Sequence, residues 1–349
     1  MPEQISVVVT SISAPNGVLR ELATGARRHG SRFYVIGDVP SPRDFSIEGC
    51  DFYDLDRQRK TGLRFAELCP TRSYARKNIG YLLAMQDGAD RIIETDDDNY
   101  PRSSFWQWRE RERKVPVVKQ PGWVNVYAFF SDANVWPRGL PLDEVLSKAP
   151  KLNDLDIETV DAPIQQGLAD ENPDVDAIYR LILPLPLQFK PDIQVALGAG
   201  VWCPFNSQNT LWWQEAYPLL YLPAYCSIRM TDIWRGFVAQ RIAWENGWNL
   251  VFESPTVWQD RNDHNLMRDF SDEVPGYLHN RAICEGLEKL NLKPGAEAMG
   301  DNLRACYEFL VRDSFVGKNE LALLDGWLAD IQAIDRTEGV KAFSAAPTL

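Results

Sequence analysis

The chain is most easily approached through what it lacks. No run of about eighteen apolar residues occurs anywhere in its 349 residues, so no segment reads as a membrane span. The start, Met1-Pro2-Glu3-Gln4, enters a strand directly without the basic-then-apolar pattern of a signal peptide, and the expectation is a cytoplasmic protein. The six cysteines are scattered with no CxxC pair, which excludes a zinc ribbon and a disulfide framework and leaves free, mostly buried thiols. Basic charge is also short. A formal net charge of −12 excludes a general nucleic-acid binder, because a phosphate backbone demands a positive face. The mixed run from Arg109 to Lys114 alternates in sign and reads as a solvated helix face. There is no GxGxxG after the first strand, no P-loop, and no internal repeat. Histidine is sparse: His29, His264 and His279.

What is present is an ordinary globular composition, 45% hydrophobic and 25% charged, in a chain long enough for one large domain or two closely joined halves. Ile5 to Ser11 reads as a strand, Val18 to His29 as a helix, Arg32 to Ile36 as a strand, and Asp51 to Leu55 as a short third strand. Ser73 to Gln86 has an apolar helical stripe closed by Gly88, and a strand from Arg91 follows. This alternation predicts an open α/β sheet whose ligands bind beyond the carboxyl ends of its strands. Beyond Pro101 the periodicity fades. The polar stretch from about Leu140 to Pro173 reads as an excursion over the surface. Order returns at Val195 to Trp202, in a helix over Trp234 to Asn246, in a strand over Asn249 to Glu253, and in C-terminal helices over Arg281 to Leu290 and Asn302 to Ile334.

The most informative segment is Ile93-Glu94-Thr95-Asp96-Asp97-Asp98-Asn99. Strand alternation puts Asp96 and Asp98 on one face and Asp97 on the other, where it braces the loop. Carboxylates so close together stay ionised only beside a cation or a dense set of donors, and oxygen-seeking Mn²⁺ or Mg²⁺ fits that need. The alternative is a solvated acidic turn.

Four further segments carry side chains of interest. Arg72, Arg76 and Lys77 surround the start of the helix before the triplet, where an anion would relieve their conflict with the helix dipole. Phe205 to Thr210 is dense in amides and hydroxyls suited to sugar hydroxyls, and the tryptophans after it, Trp212 and Trp213, read as core. Asp232 stands at a helix start, as a cap or as a general base. His264 lies in a polar loop, as a surface residue or a metal ligand.

Taken in order, Ile93 to Asn99, Trp136-Pro137-Arg138-Gly139, Phe205 to Thr210, Asp232-Ile233-Trp234-Arg235-Gly236 and Arg261-Asn262-Asp263-His264 resemble the STELLO-type, glycosyltransferase-like family. The match runs from about Ile5 to about Tyr277. A weaker similarity, in the triplet and around Asp232, points to the reversibly glycosylated polypeptides and UDP-arabinopyranose mutases. The resemblance implies a GT-A fold: a Rossmann-like mixed sheet binding a nucleotide-sugar (residues 1–100), an acceptor-binding half (101–277) and a C-terminal helical region (278–349). It implies Mn²⁺ or Mg²⁺ held by Asp96, Asp98 and His264, and Asp232 as the base of an inverting transfer to a hydroxyl acceptor. The donor, a UDP-sugar for preference, would contact Thr10, Ser11, Asp38, Arg72, Arg76, Lys77, Asp96 and Asp97. Sugar or acceptor would contact Asn206, Gln208, Asn209, Trp234 and Arg235. The alternatives are a nucleotide-sugar mutase, whose relatives have a histidine where this chain has Gln259, and a non-catalytic scaffold. Plant STELLO proteins carry a membrane anchor that is not seen here. Golgi residence therefore does not carry over, and the expected site is cytoplasmic, at most peripheral to a membrane-bound glycan assembly.

Overall fold

The computed structural model describes residues 4–344, with side chains described through residue 336. Thirteen strands occur among these residues: β1 (Ile5–Thr10), β2 (Arg32–Ile36), β3 (Asp51–Tyr53), β4 (Arg91–Thr95), β5 (Asn99–Pro101), β6 (Glu112–Val118), β7 (Gly122–Trp123), β8 (Ile157–Asp161), β9 (Ile164–Asp170), β10 (Gln194–Leu197), β11 (Val201–Trp202), β12 (Asn209–Trp213) and β13 (Leu250–Gln259). Eleven of them form one mixed sheet in the order β3-β2-β1-β4-β12-β9-β13-β10-β6-β8, with β5 paired to β13. The mixed α/β architecture and the helical C-terminal region follow the expectation.

The first four strands are parallel. Apolar residues drive this: Val7, Val8, Val9 and Ile92 are fully buried, as strands covered on both faces require. The crossover helix Gly17–His29 is capped by the Asn16 side chain, which accepts from the Leu19 backbone N–H, and ends on Gly30 in the left-handed region. The carboxyl ends of β1 and β4 lie side by side where the strand order reverses, and a crevice opens at such a point.

The sheet then continues antiparallel, because β12 pairs with both β4 and β9. This overturns the surface excursion expected between Leu140 and Pro173. Strand β9 lies entirely buried in the middle of the sheet. Its polar residues are accommodated by partners: Gln165 Nε2 donates to Glu110 O at 2.8 Å, and Gln166 Nε2 to Asn206 Oδ1 at 2.8 Å. The run Arg109 to Lys114 is likewise not a helix face. Its second half is strand β6, and Arg109 is buried against Glu253.

The helix Thr231–Glu245 is buried along nearly its whole length. Helices Leu266–Glu288, Met299–Arg312 and Glu320–Ser344 pack beyond it, the first running through the expected boundary at residue 277. Among the described residues no helix is long and apolar enough to cross a membrane.

Candidate active site

The carboxyl ends of β1, β2 and β4 open into a cleft of about 970 Å³, at the upper end of the range for small-molecule sites. Thr10, Ser11 and Asp38 line it as expected. Asp38 is held by backbone donors, accepting from Val39 N at 2.7 Å and Ser73 N at 3.0 Å. Strand β4 ends at Thr95, so the aspartate triplet forms a turn rather than alternating across a strand, and all three carboxylates reach the cleft.

The three aspartates are not equivalent. Asp96 Oδ1 accepts from Lys77 Nζ at 2.9 Å and from the Tyr74 hydroxyl at 2.8 Å. Asp97 accepts from Ser11 Oγ at 2.5 Å, and its backbone oxygen accepts from Asn16 Nδ2, so it ties the β1 loop to the β4 loop. Burial raises its carboxyl above the ordinary range. Asp98 is the exceptional one. Its Oδ2 accepts from Gln259 Nε2 at 3.0 Å, while its Oδ1 is buried without a partner. Burial, reinforced by the charge of Asp96, raises the Asp98 carboxyl to about 7.

The expected cations are placed differently from one another. Arg72 is exposed on the cleft, in the left-handed backbone region at φ 57°. Arg76 turns inward: its Nε donates to Gln58 Oε1 at 2.8 Å and its Nη1 to Cys69 O at 2.9 Å. It braces a loop while still lining the cleft, with most of its donors already bonded within the fold. Lys77 is fully buried and spent on Asp96. The helix itself starts at Lys77, after a short 3₁₀ turn.

On the acceptor side only Gln208 of the five expected residues lines the cleft. Trp234 and Arg235 are core residues, each 1% exposed. Arg235 pairs at 2.8 Å with Glu94, which also accepts from Trp212 Nε1 at 2.8 Å. Asn209 is consumed within the sheet by Thr256, and Asn206 Nδ2 donates to Asp174 at 2.7 Å. These side chains are turned to partners inside the fold, with Arg235 Nε and Nη1 left buried and unpartnered, so their amide-rich composition reflects a polar core.

Asp232 does line the cleft, but it neither caps its helix nor stands free. Arg138 lies between two carboxylates, donating to Asp232 at 3.0 and 2.8 Å and to Asp174 at 2.8 and 2.9 Å. Burial opposes the charge on Asp232, but Arg138 outweighs it and lowers the carboxyl to about 2. Gly139, at φ 94°, makes the turn that aims Arg138, and a Cβ there would meet Ile233 Cγ2 at 2.6 Å. Ser207 joins the two acidic clusters, its Oγ lying 2.7 Å from the Tyr74 hydroxyl and 3.4 Å from Asp232.

His264 lines the cleft with its Nδ1 3.2 Å from Asp269 Oδ2. Burial and the nearby Arg261 lower its pKa, favouring the neutral imidazole that can bind a metal. Asp96, Asp98 and His264 do not form a closed three-ligand site. Among the described residues no three such side chains converge on one point. Asp98 alone has a free buried oxygen, which suits Mg²⁺ or Mn²⁺ bound through one or two carboxylates and completed by substrate phosphate and water. Arg138, Asp174, Tyr74 and Gln259 were not anticipated as site residues. Arg138 and Tyr74 stood inside noted motifs, whereas nothing local distinguishes Asp174.

A family model described as STELLO glycosyltransferases matches residues 229–338. Two proteins of Arabidopsis thaliana are similar over most of the chain. "Probable glycosyltransferase STELLO2" is 32% identical over 76% of this chain and 37% of its own length. "Probable glycosyltransferase STELLO1" is 31% identical over 94% of this chain and 44% of its own. The chain thus spans less than half the length of these relatives. Among solved structures, a chain titled "Crystal Structure of a Mycobacterial Protein" shares 10% identity and a TM-score of 0.41, covering 80% of this chain and 75% of that one. By the extent and identity of its similarity to the two plant proteins, together with the family-model match, the chain belongs to the STELLO-type, glycosyltransferase-like family.

Proposed function

We propose that the cleft binds a nucleotide-sugar together with Mn²⁺ or Mg²⁺ and that the protein transfers the sugar to a hydroxyl of a glycan or glycoconjugate, in a GT-A-like arrangement. The observation that carries this reading is the Asp98 carboxylate, buried with one oxygen unpartnered at the reversal point of the sheet. A buried acceptor left without a donor is costly, and a cation at Asp98 would relieve that cost and the repulsion among the three aspartates. Family membership supplies the reaction class, and a UDP-sugar remains the favoured donor.

Asp98 is the anchor for the cation, with Asp96 beside it and His264 able to approach only through its Nε2. When bound, the cation supplies charge neutralisation to the leaving diphosphate. Thr10, Ser11 and Asp38 face the nucleoside, and Arg72 lines the same cleft with no ion pair among the described residues. Asp232 orients an acceptor hydroxyl. A carboxylate held near 2 by Arg138 takes a proton poorly, so Asp232 serves as the base of an inverting transfer only where Arg138 shifts its hold to Asp174, which it already contacts.

Release of nucleoside diphosphate from UDP-, GDP- and dTDP-sugars, with and without Mn²⁺, tests the reading. Metal-dependent release with an acceptor present, lost in Asp98→Asn, is the expected result. Donor isomerised without acceptor, or Asp98→Asn retaining full turnover, would overturn it.

A further inference from the structure

We propose that Arg180, Arg229 and Arg261 form an anion subsite on the acceptor wall of the cleft, and that the acceptor presents a phosphate or carboxylate there. The assignment to the acceptor rests on the donor reading above, whereas the anion subsite itself does not.

All three arginines line the cleft, and they arrive from separate elements. Arg180 lies in the last turn of the helix Ala177–Ile182, Arg229 just before the helix Thr231–Glu245, and Arg261 just past β13. Arg180 is the unusual member. Its guanidinium donates only to neutral oxygens, Pro173 O at 2.7 Å and Asn172 Oδ1 at 3.4 Å, and its Nε is buried without a partner. It has no ion pair among the described residues. A half-buried guanidinium whose buried Nε has no partner and which has no carboxylate at ion-pair distance among the described residues marks a place for an anion that arrives from outside.

The other two have carboxylates, but shared ones. Arg229 pairs with Glu273 at 2.8 Å, and Glu273 also accepts from Ala177 N at 2.7 Å and the Tyr277 hydroxyl at 2.6 Å. Arg261 pairs at 2.8 Å with Asp269, which also holds His264. Burial, then the charge of Arg261, lowers Arg180 to about 9, with Asp174 and Glu273 acting the other way. The carboxylates nearest in effect to Arg180, Asp174 and Glu273, are already held in ion pairs by Arg138 and Arg229.

Arg180 is removed from Asp98, whereas Arg261 immediately precedes Asn262, whose backbone N lies 3.5 Å from Asp98 Oδ2. Asn172 Nδ2 donates to Gln259 O at 3.3 Å, and the Gln259 side chain donates to Asp98, so two residues stand between Arg180 and the metal anchor. Nucleoside-facing Thr10, Ser11 and Asp38 lie at the ends of β1 and β2, away from these elements.

Calorimetric titration of the full chain with inorganic phosphate, in the absence of metal, tests this directly. Binding is expected in the wild type, at least tenfold weaker in Arg180→Met, and unchanged in Asp98→Asn. Removing an unpaired, half-buried charge should not lower the thermal midpoint of Arg180→Met, and Arg180→Lys should retain part of the affinity. Phosphate should also bind when UDP and Mn²⁺ are saturating. No phosphate binding, or equal binding by Arg180→Met, would overturn the subsite. Displacement of phosphate by UDP and Mn²⁺ would overturn the acceptor assignment by giving the arginines to the donor diphosphate. Failure of UDP and Mn²⁺ to bind at all overturns the donor reading and the acceptor assignment with it, while the phosphate titration still decides the subsite.

Discussion

Two acidic clusters line the cleft, joined through Tyr74 and Ser207, and are built on opposite terms. At Asp174 and Asp232 a single buried arginine satisfies both carboxylates, with Asn206 and Ser207 adding donors. At Asp96 to Asp98 the one buried lysine pairs with Asp96 alone, and Asp98 keeps an oxygen with no partner. The first cluster lowers a carboxyl to about 2, and the second raises one to about 7. The same residue type in the same cleft thus supplies either rigidity or an unmet demand for positive charge. Environment separates the roles, and the unmet demand marks the place where a ligand completes the structure.

The largest break in this comparison comes at its satisfied end. Arg138→Met leaves two buried carboxylates uncompensated and should cost about 3–5 kcal/mol of stability in urea unfolding at pH 7. Asp98→Ala acts on function: metal-dependent donor turnover should fall by at least about 100-fold, roughly 2.7 kcal/mol of activation free energy, in a nucleoside diphosphate release assay.

The third prediction concerns pH and reverses the usual sign of a core substitution. The folded chain keeps a proton on Asp98 up to about 7, while the unfolded chain releases it in the ordinary carboxylate range. Stability of the metal-free protein therefore declines as pH rises across that window. Metal-free Asp98→Asn should be more stable than the wild type by about 2 kcal/mol at pH 8, with the gain gone by pH 4, in chemical unfolding with a chelator present. Asp232 behaves oppositely. Its pair with Arg138 contributes stability above the ordinary carboxylate range and loses it as pH falls toward 2. The smallest effect is Ser11→Ala, which removes the hydroxyl that braces Asp97 and should cost about 1 kcal/mol in the same unfolding assay.

The parallel half was legible from its residues because apolar strands and an amphipathic helix announce themselves locally. The positions of Ser11, Asp38 and the triplet followed from strand ends alone. The antiparallel half was obscured by buried polar residues. Gln165 and Gln166 look like surface residues until Asn206 and the Glu110 backbone lie across from them. Asn209 and Arg235 suit a sugar in composition, yet Thr256 and Glu94 claim them.

The residues by themselves determined the α/β class, the order of the first elements and the presence of an acidic turn at a strand end, since each depends on neighbours a few positions away. Only the tertiary structure decided which carboxylate is satisfied and which is not. Arg138 is 36 residues from Asp174 and 94 from Asp232, and Gln259 is 161 from Asp98. Charge compensation is set by distance in space and by burial, and neither can be read from order along the chain.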